Sequence, residues 1–136
     1  MFAGVSAVED LLRRNASDHS HIFVVWEPIL PMDWARPNRW VRSRINDPGV
    51  TQFWDKDHLV AKELSHQLPP TIQLHCCRRG GVLCDVVALY SPNAHWEDAS
   101  PDFVDGPVVK ASDSLGKRLR EIREQADDLD PTGLLP

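Results

Sequence analysis

A pair of glycines set between two β-prone runs most constrains what this chain can fold into. Gly80-Gly81 separates Thr71-Ile72-Gln73-Leu74-His75-Cys76-Cys77-Arg78-Arg79 from Val82-Leu83-Cys84-Asp85-Val86-Val87-Ala88-Leu89-Tyr90, and Pro69-Pro70 leads into the first run. A two-residue primed turn needs φ > 0 at its central residues, which glycine adopts without steric cost. The stretch therefore reads as a proline-introduced β-hairpin. A Gly-Gly loop sets Arg79 opposite Val82, Arg78 opposite Leu83, Cys77 opposite Cys84 and Cys76 opposite Asp85. A longer loop over Arg78–Gly81 would set Leu74 against Asp85, a poorer pattern for a buried face.

The three cysteines of the chain all lie in this stretch. Residues directly opposed in an antiparallel ladder have Cα atoms about 4.5–5.5 Å apart, inside the disulfide window, so a Cys77–Cys84 bridge is feasible. A vicinal Cys76–Cys77 bridge is disfavoured, because neighbouring Cα atoms are only about 3.8 Å apart. Cys76, Cys77 and Cys84 are the candidate catalytic residues for thiol chemistry. The same register sets His75, Cys77 and Cys84 on one face, ligand types suited to Zn²⁺ or a thiophilic metal or metalloid. One strand pair supplies no fourth ligand, so this is a weak metal signal. Against both stands the reading of strand cysteines as small buried hydrophobes.

At 136 residues, with 42% hydrophobic and 26% charged residues, the chain has the size and composition of one ordinary domain. Its formal charge of −5 argues against nucleic-acid binding, which needs a basic surface. Arg36, Arg39, Arg42 and Arg44 read as the outer face of a helix, with a small anionic ligand as the alternative. No apolar run approaches the roughly 20 residues of a membrane span, and Glu9 and Asp10 follow the N-terminus too soon for a signal peptide. An odd number of cysteines fits a reducing compartment. The expectation is a cytoplasmic protein without membrane contact and without a cofactor, since no Walker-type or dinucleotide glycine pattern occurs.

In chain order, Ser6-Ala7-Val8-Glu9 is a capping-box pattern that predicts a helix over residues 7–15. His21-Ile22-Phe23-Val24-Val25-Trp26 reads as a central strand covered on both faces. A helix starts at Pro37 or Asn38 and runs to about Asn46, with Trp40, Val41 and Ile45 inward. Val50–Trp54 is a short strand, and Asp55 or Asp57 caps a helix to about Gln67, with Leu59, Val60, Glu63 and Leu64 on one face. Val108-Val109 is expected to pair at a sheet edge. Leu115, Leu119, Ile122 and Ala126 fall at helical spacing and predict a last helix begun near Ser112 or Ser114. Residues 127–136 read as a flexible tail to a single domain over residues 1–126, of which 1–19 form a helical extension.

The order of elements, with Pro70-Thr71 directly before a hairpin strand, resembles the thioredoxin fold, in which the strand after the second core helix begins with a cis-proline. Phe23-Val24-Val25-Trp26 is similar to that family's first central strand, which leads into its active-site loop. Trp26-Glu27-Pro28-Ile29-Leu30-Pro31-Met32-Asp33-Trp34 and Gln52-Phe53-Trp54-Asp55 resemble runs of uncharacterised bacterial thioredoxin-like proteins. The resemblance covers roughly residues 20–125 and implies an α/β three-layer sandwich, a central mixed β-sheet flanked by helices. It does not carry the activity over. Where thioredoxins have Cys-x-x-Cys, this chain has Pro31, Met32 and Asp33, and its first cysteine is Cys76.

Such a scaffold makes the loop from Trp26 to Trp34 the default site for a ligand or partner: Trp26, Glu27, Pro28, Asp33 and Trp34, bordered by Pro70. Glu27 and Asp33 could serve acid–base work or meet a cationic partner; as turn residues and caps they would do neither. Trp34 and Trp96, in proline-flanked segments, are the tryptophans expected at a partner surface. Two function classes follow: a thioredoxin-like protein with a thiol-based redox role, and a non-enzymatic module that docks an unknown protein partner through this loop and Trp96.

Overall fold

The computed structural model describes residues 2–15, 20–29 and 35–129. In chain order its elements are α1 (Phe2–Arg14), β1 (Ile22–Trp26), α2 (Arg39–Ser43), β2 (Val50–Trp54), α3 (Leu59–Gln67), a 3-10 turn (His75–Cys77), β3 (Arg78–Arg79), β4 (Val82–Leu83), β5 (Val87–Leu89), β6 (Phe103–Asp105) and α4 (Val108–Leu129). The fold is mixed α/β. Among the described residues the strands form three two-stranded sheets, β1 with β2, β3 with β4 and β5 with β6. No helix of the described residues is long and apolar enough to cross a membrane.

β1 and β2 run parallel, from Ile22 opposite Val50 to Trp26 opposite Trp54, with α2 as the crossover. Asn38 starts α2 by accepting the Val41 N–H at 3.0 Å. Val41 and Ile45 are buried as the periodicity predicts, but Trp40 is 62% exposed. Adjacent helical residues point about 100° apart, so a short helix that turns Val41 inward turns Trp40 out. β1 differs from expectation in the same direction. Phe23 is 63% exposed, and it shares an open sheet face with Phe53.

Residues 6 and 9 lie inside α1, which starts earlier than the capping box predicts. Instead of capping, Ser6 Oγ and Glu9 Oε2 accept from the Arg44 guanidinium at 3.0 and 3.3 Å, tying α1 to the end of α2. At α3, both Asp55 carboxylate oxygens accept backbone amides, Leu59 N–H at 2.9 Å and Val60 N–H at 2.8 Å. Ala61 and Leu64 face inward, while Leu59, expected inward, is exposed.

The glycine turn forms as expected. Gly80 and Gly81 have φ of 57° and 80°, and Arg78 pairs with Leu83 and Arg79 with Val82. The long hairpin does not form. Residues 72–74 are irregular, His75–Cys77 is a 3-10 turn, and β5 pairs antiparallel with β6, Val87 opposite Asp105 and Leu89 opposite Phe103. Asp85 causes the break: its φ of 55° is left-handed, which turns the chain out of one ladder and into the next. Val108 and Val109, expected at a sheet edge, begin α4 instead, so that helix is a turn longer than its apolar spacing suggests. The central core packs Ala61, Leu64, Leu74, Cys77 and Leu83 together, with Val86, Ala88 and Val104 against them. At the far side α1 lies on α4.

Candidate functional site

The sulfur geometry follows from the 3-10 turn. In a strand, successive side chains point to opposite faces. In a 3-10 turn they are separated by about a third of a revolution, so neighbours can converge on one side. Cys76 and Cys77 do so and are disulfide-bonded, with Cα atoms 3.8 Å apart. This corrects the expectation that a vicinal pair is disfavoured, and Cys77, whose register also made a bridge to Cys84 feasible, is paired with Cys76: the turn brings both sulfurs to one side while the Cα atoms keep the separation of any trans peptide. Cys84 is a free, buried thiol.

The three cysteines differ in access. Cys76 is exposed, Cys77 is 1% exposed and Cys84 is 8% exposed. Beyond the last ladder pair, the Cys84 N–H donates to the Cys77 carbonyl at 2.8 Å, so Cys77 and Cys84 are opposed across the two chains, as the Gly-Gly register predicts. Burial pushes the Cys84 thiol up from its ordinary range; Glu27 and Asp85 push the same way, and Arg79 opposes them.

Gly106 closes the other side. A Cβ there would stand 2.7 Å from Cys77 Sγ and 2.7 Å from the Asp85 carbonyl, so only glycine lets the backbone approach the disulfide this closely. The Gly106 carbonyl oxygen lies 3.5 Å from Cys76 Sγ. Asp85 Oδ1 accepts the Val108 N–H at 3.2 Å, which fixes the first turn of α4 beside the sulfurs. Among the described residues the cis peptide is Gly106-Pro107. Pro70 is not cis. It sits exposed in a turn closed by the Ile72 N–H on the Pro69 carbonyl at 3.0 Å, and with His75 and Arg78 it lines a shallow cleft of about 300 Å³.

A second polar group lies at the end of β1. Glu27 Oε2 is 2.7 Å from His58 Nδ1, the two side chains being 14% and 23% exposed. Burial raises the Glu27 carboxyl above its ordinary range; the His58 hydrogen bond and charge lower it, and Asp55 raises it further. His58 holds a left-handed φ of 57° immediately before α3. Trp26 is tied down by its Nε1–H donating to Gln52 Oε1 at 2.9 Å, and Pro28 is half-buried beside it. Asp33 and Trp34 lie outside the described residues. Trp96 is 41% exposed, with its ring 5.5 Å from that of Tyr90. His75 does not turn to the sulfurs: its Nε2 is 2.6 Å from Gln73 Oε1. Among the described residues no group of three or more His, Cys, Asp or Glu side chains is arranged to hold a metal ion.

The fold thus brings together Cys76, Cys77 and Cys84, with Glu27 within electrostatic reach of Cys84. Sequence reasoning missed Gly106 and His58. The Gly-Pro dipeptide before a helix marks a turn, but nothing in its spacing relates it to residues 76 and 77. Compared with protein-family models, with curated proteins and with solved structures, the chain shows no match to any.

Proposed function

We propose that this chain is a thiol–disulfide exchange protein on a thioredoxin-like scaffold, with Cys76–Cys77 as its redox couple in place of a Cys-x-x-Cys pair. The observation that carries this reading is a disulfide with one exposed and one buried sulfur. The scaffold is supported by the parallel β1-α2-β2 unit, followed by α3, an antiparallel β5-β6 pair and a terminal helix. Exchange needs a thiolate to reach one sulfur in line with the bond. An external thiol, as thiolate, attacks Cys76 Sγ and forms a mixed disulfide, and the electron pair of the broken bond leaves on Cys77, which takes up a proton. A second external thiol then attacks the mixed disulfide, releasing Cys76 as a thiol and the reductant as its own disulfide. The protein gains two electrons and two protons.

Counting thiols in native full-length protein tests this. Purified without reductant, it should take up one iodoacetamide; after dithiothreitol it should take up three, and reoxidation should restore one. Cys77→Ser should abolish the reducible couple. Three reactive thiols before reduction, or a disulfide that dithiothreitol reaches only in denaturant, would sink the idea.

A further inference from the structure

The proposed couple leaves Cys84 without a task, yet Cys84 is opposed to Cys77, the buried half of the disulfide. We infer that Cys84 is an internal nucleophile that moves the disulfide from Cys76–Cys77 to Cys77–Cys84 and presents Cys76 as a free thiol at the surface. The inference rests on the Cys76–Cys77 couple proposed above. The Cys84 N–H bond to the Cys77 carbonyl continues the ladder of Arg78 with Leu83, and residues opposed in this way have Cα atoms at a disulfide-compatible separation.

The step balances without an outside reagent. Cys84 loses its proton to solvent, its sulfur attacks Cys77 Sγ, and the Cys77–Cys84 bond forms as the Cys76–Cys77 bond breaks. The departing electron pair stays on Cys76 Sγ, which takes up a proton, so the chain is neither oxidised nor reduced. The Gly106 carbonyl, 3.5 Å from Cys76 Sγ, can then accept the new S–H. Resting thiol at Cys84 stays protonated at neutral pH because burial, Glu27 and Asp85 together outweigh Arg79. The transfer is accordingly slow there and speeds up as pH rises.

Trypsin separates the two disulfides by itself. Cleavage after Lys62, Arg78, Arg79 and Lys110 puts Cys76 and Cys77 in one peptide, residues 63–78, and Cys84 in another, residues 80–110. Oxidised wild-type protein is incubated with iodoacetamide, quenched in acid and digested without reduction. The expected product carries one label on Cys76 and a disulfide joining the two peptides; in Cys84→Ser no joined peptides form, and labelling of Cys76 falls at least ~tenfold. One label on Cys84, with the disulfide still inside residues 63–78, overturns the transfer and leaves the proposed couple standing. Labels on all three cysteines, with no disulfide in either place, overturn both. The wild-type digest decides the matter even if Cys84→Ser folds poorly.

Discussion

Tyr90 is the chain's one tyrosine, and its surroundings leave a signature that a spectrometer can read in isolation. Its hydroxyl donates to Gln67 Oε1 at 2.6 Å, and Gln67 Nε2 donates onward to the Trp96 carbonyl at 2.7 Å, so the phenol joins the end of α3 to the segment after β5. Burial, and secondarily the charge of Glu63, pushes its pKa up to about 12. A folded-state pKa above the unfolded value means that the neutral form is preferred in the fold. The stabilisation is therefore complete below about pH 10, the unperturbed value, and is lost as pH rises through about 12. Tyrosinate absorbance at 295 nm after a rapid pH jump should rise with a midpoint near 12 in native protein and near ~10 in urea. A native midpoint at the urea value would mean that the hydroxyl is solvated and the link to Gln67 does not hold.

At the scale of elements, the joint between β1 and α3 is held by one buried carboxylate. The Asp55 N–H donates to the Trp26 carbonyl at 2.8 Å, and its side chain, in a residue 8% exposed, receives two amides of the first turn of α3. Asp55→Ala should cost ~2–3 kcal/mol in urea unfolding, since it leaves two buried N–H groups unpaired, and Asp55→Asn about half of that. If alanine costs under ~0.5 kcal/mol, water satisfies those amides and the joint is loose.

This cap was legible in the sequence, as were β2 and the Gly80-Gly81 turn, because each depends on neighbours a few residues away. The hairpin's length and the sulfur pairing were not. The length turns on Asp85, whose left-handed backbone and bond to Val108 N–H couple residues 23 positions apart. A β-rich run such as Val82–Tyr90 looks the same whether it pairs with one partner or is shared between two. Likewise, Cys76-Cys77 reads as strand by composition, and only the 3-10 turn swings both sulfurs to one side.

For the whole molecule, stability should be concentrated around α3 and the short hairpin and thin out toward β1 and β2. Leu83 is 1% exposed and belongs to the cluster that also buries Cys77, so the packing that holds the fold also positions the disulfide. The β1-β2 pair is different. Parallel strands are ordinarily covered on both faces, yet Phe23 and Phe53 are exposed at 63% and 49% and pair with each other, their rings 6.0 Å apart. Two substitutions of large apolar side chains should therefore behave unequally. Leu83→Ala should cost ~3 kcal/mol, combining lost transfer energy with a cavity. It should also speed iodoacetamide uptake in reduced protein, because Cys77 loses a packing neighbour. Phe23→Ser should cost under ~1 kcal/mol, the scale of one exposed aromatic pair, and leave cysteine labelling unchanged. Equal costs for the two in urea unfolding would show that the Phe23 face is covered in solution, and the sheet would then have to be counted as part of the core.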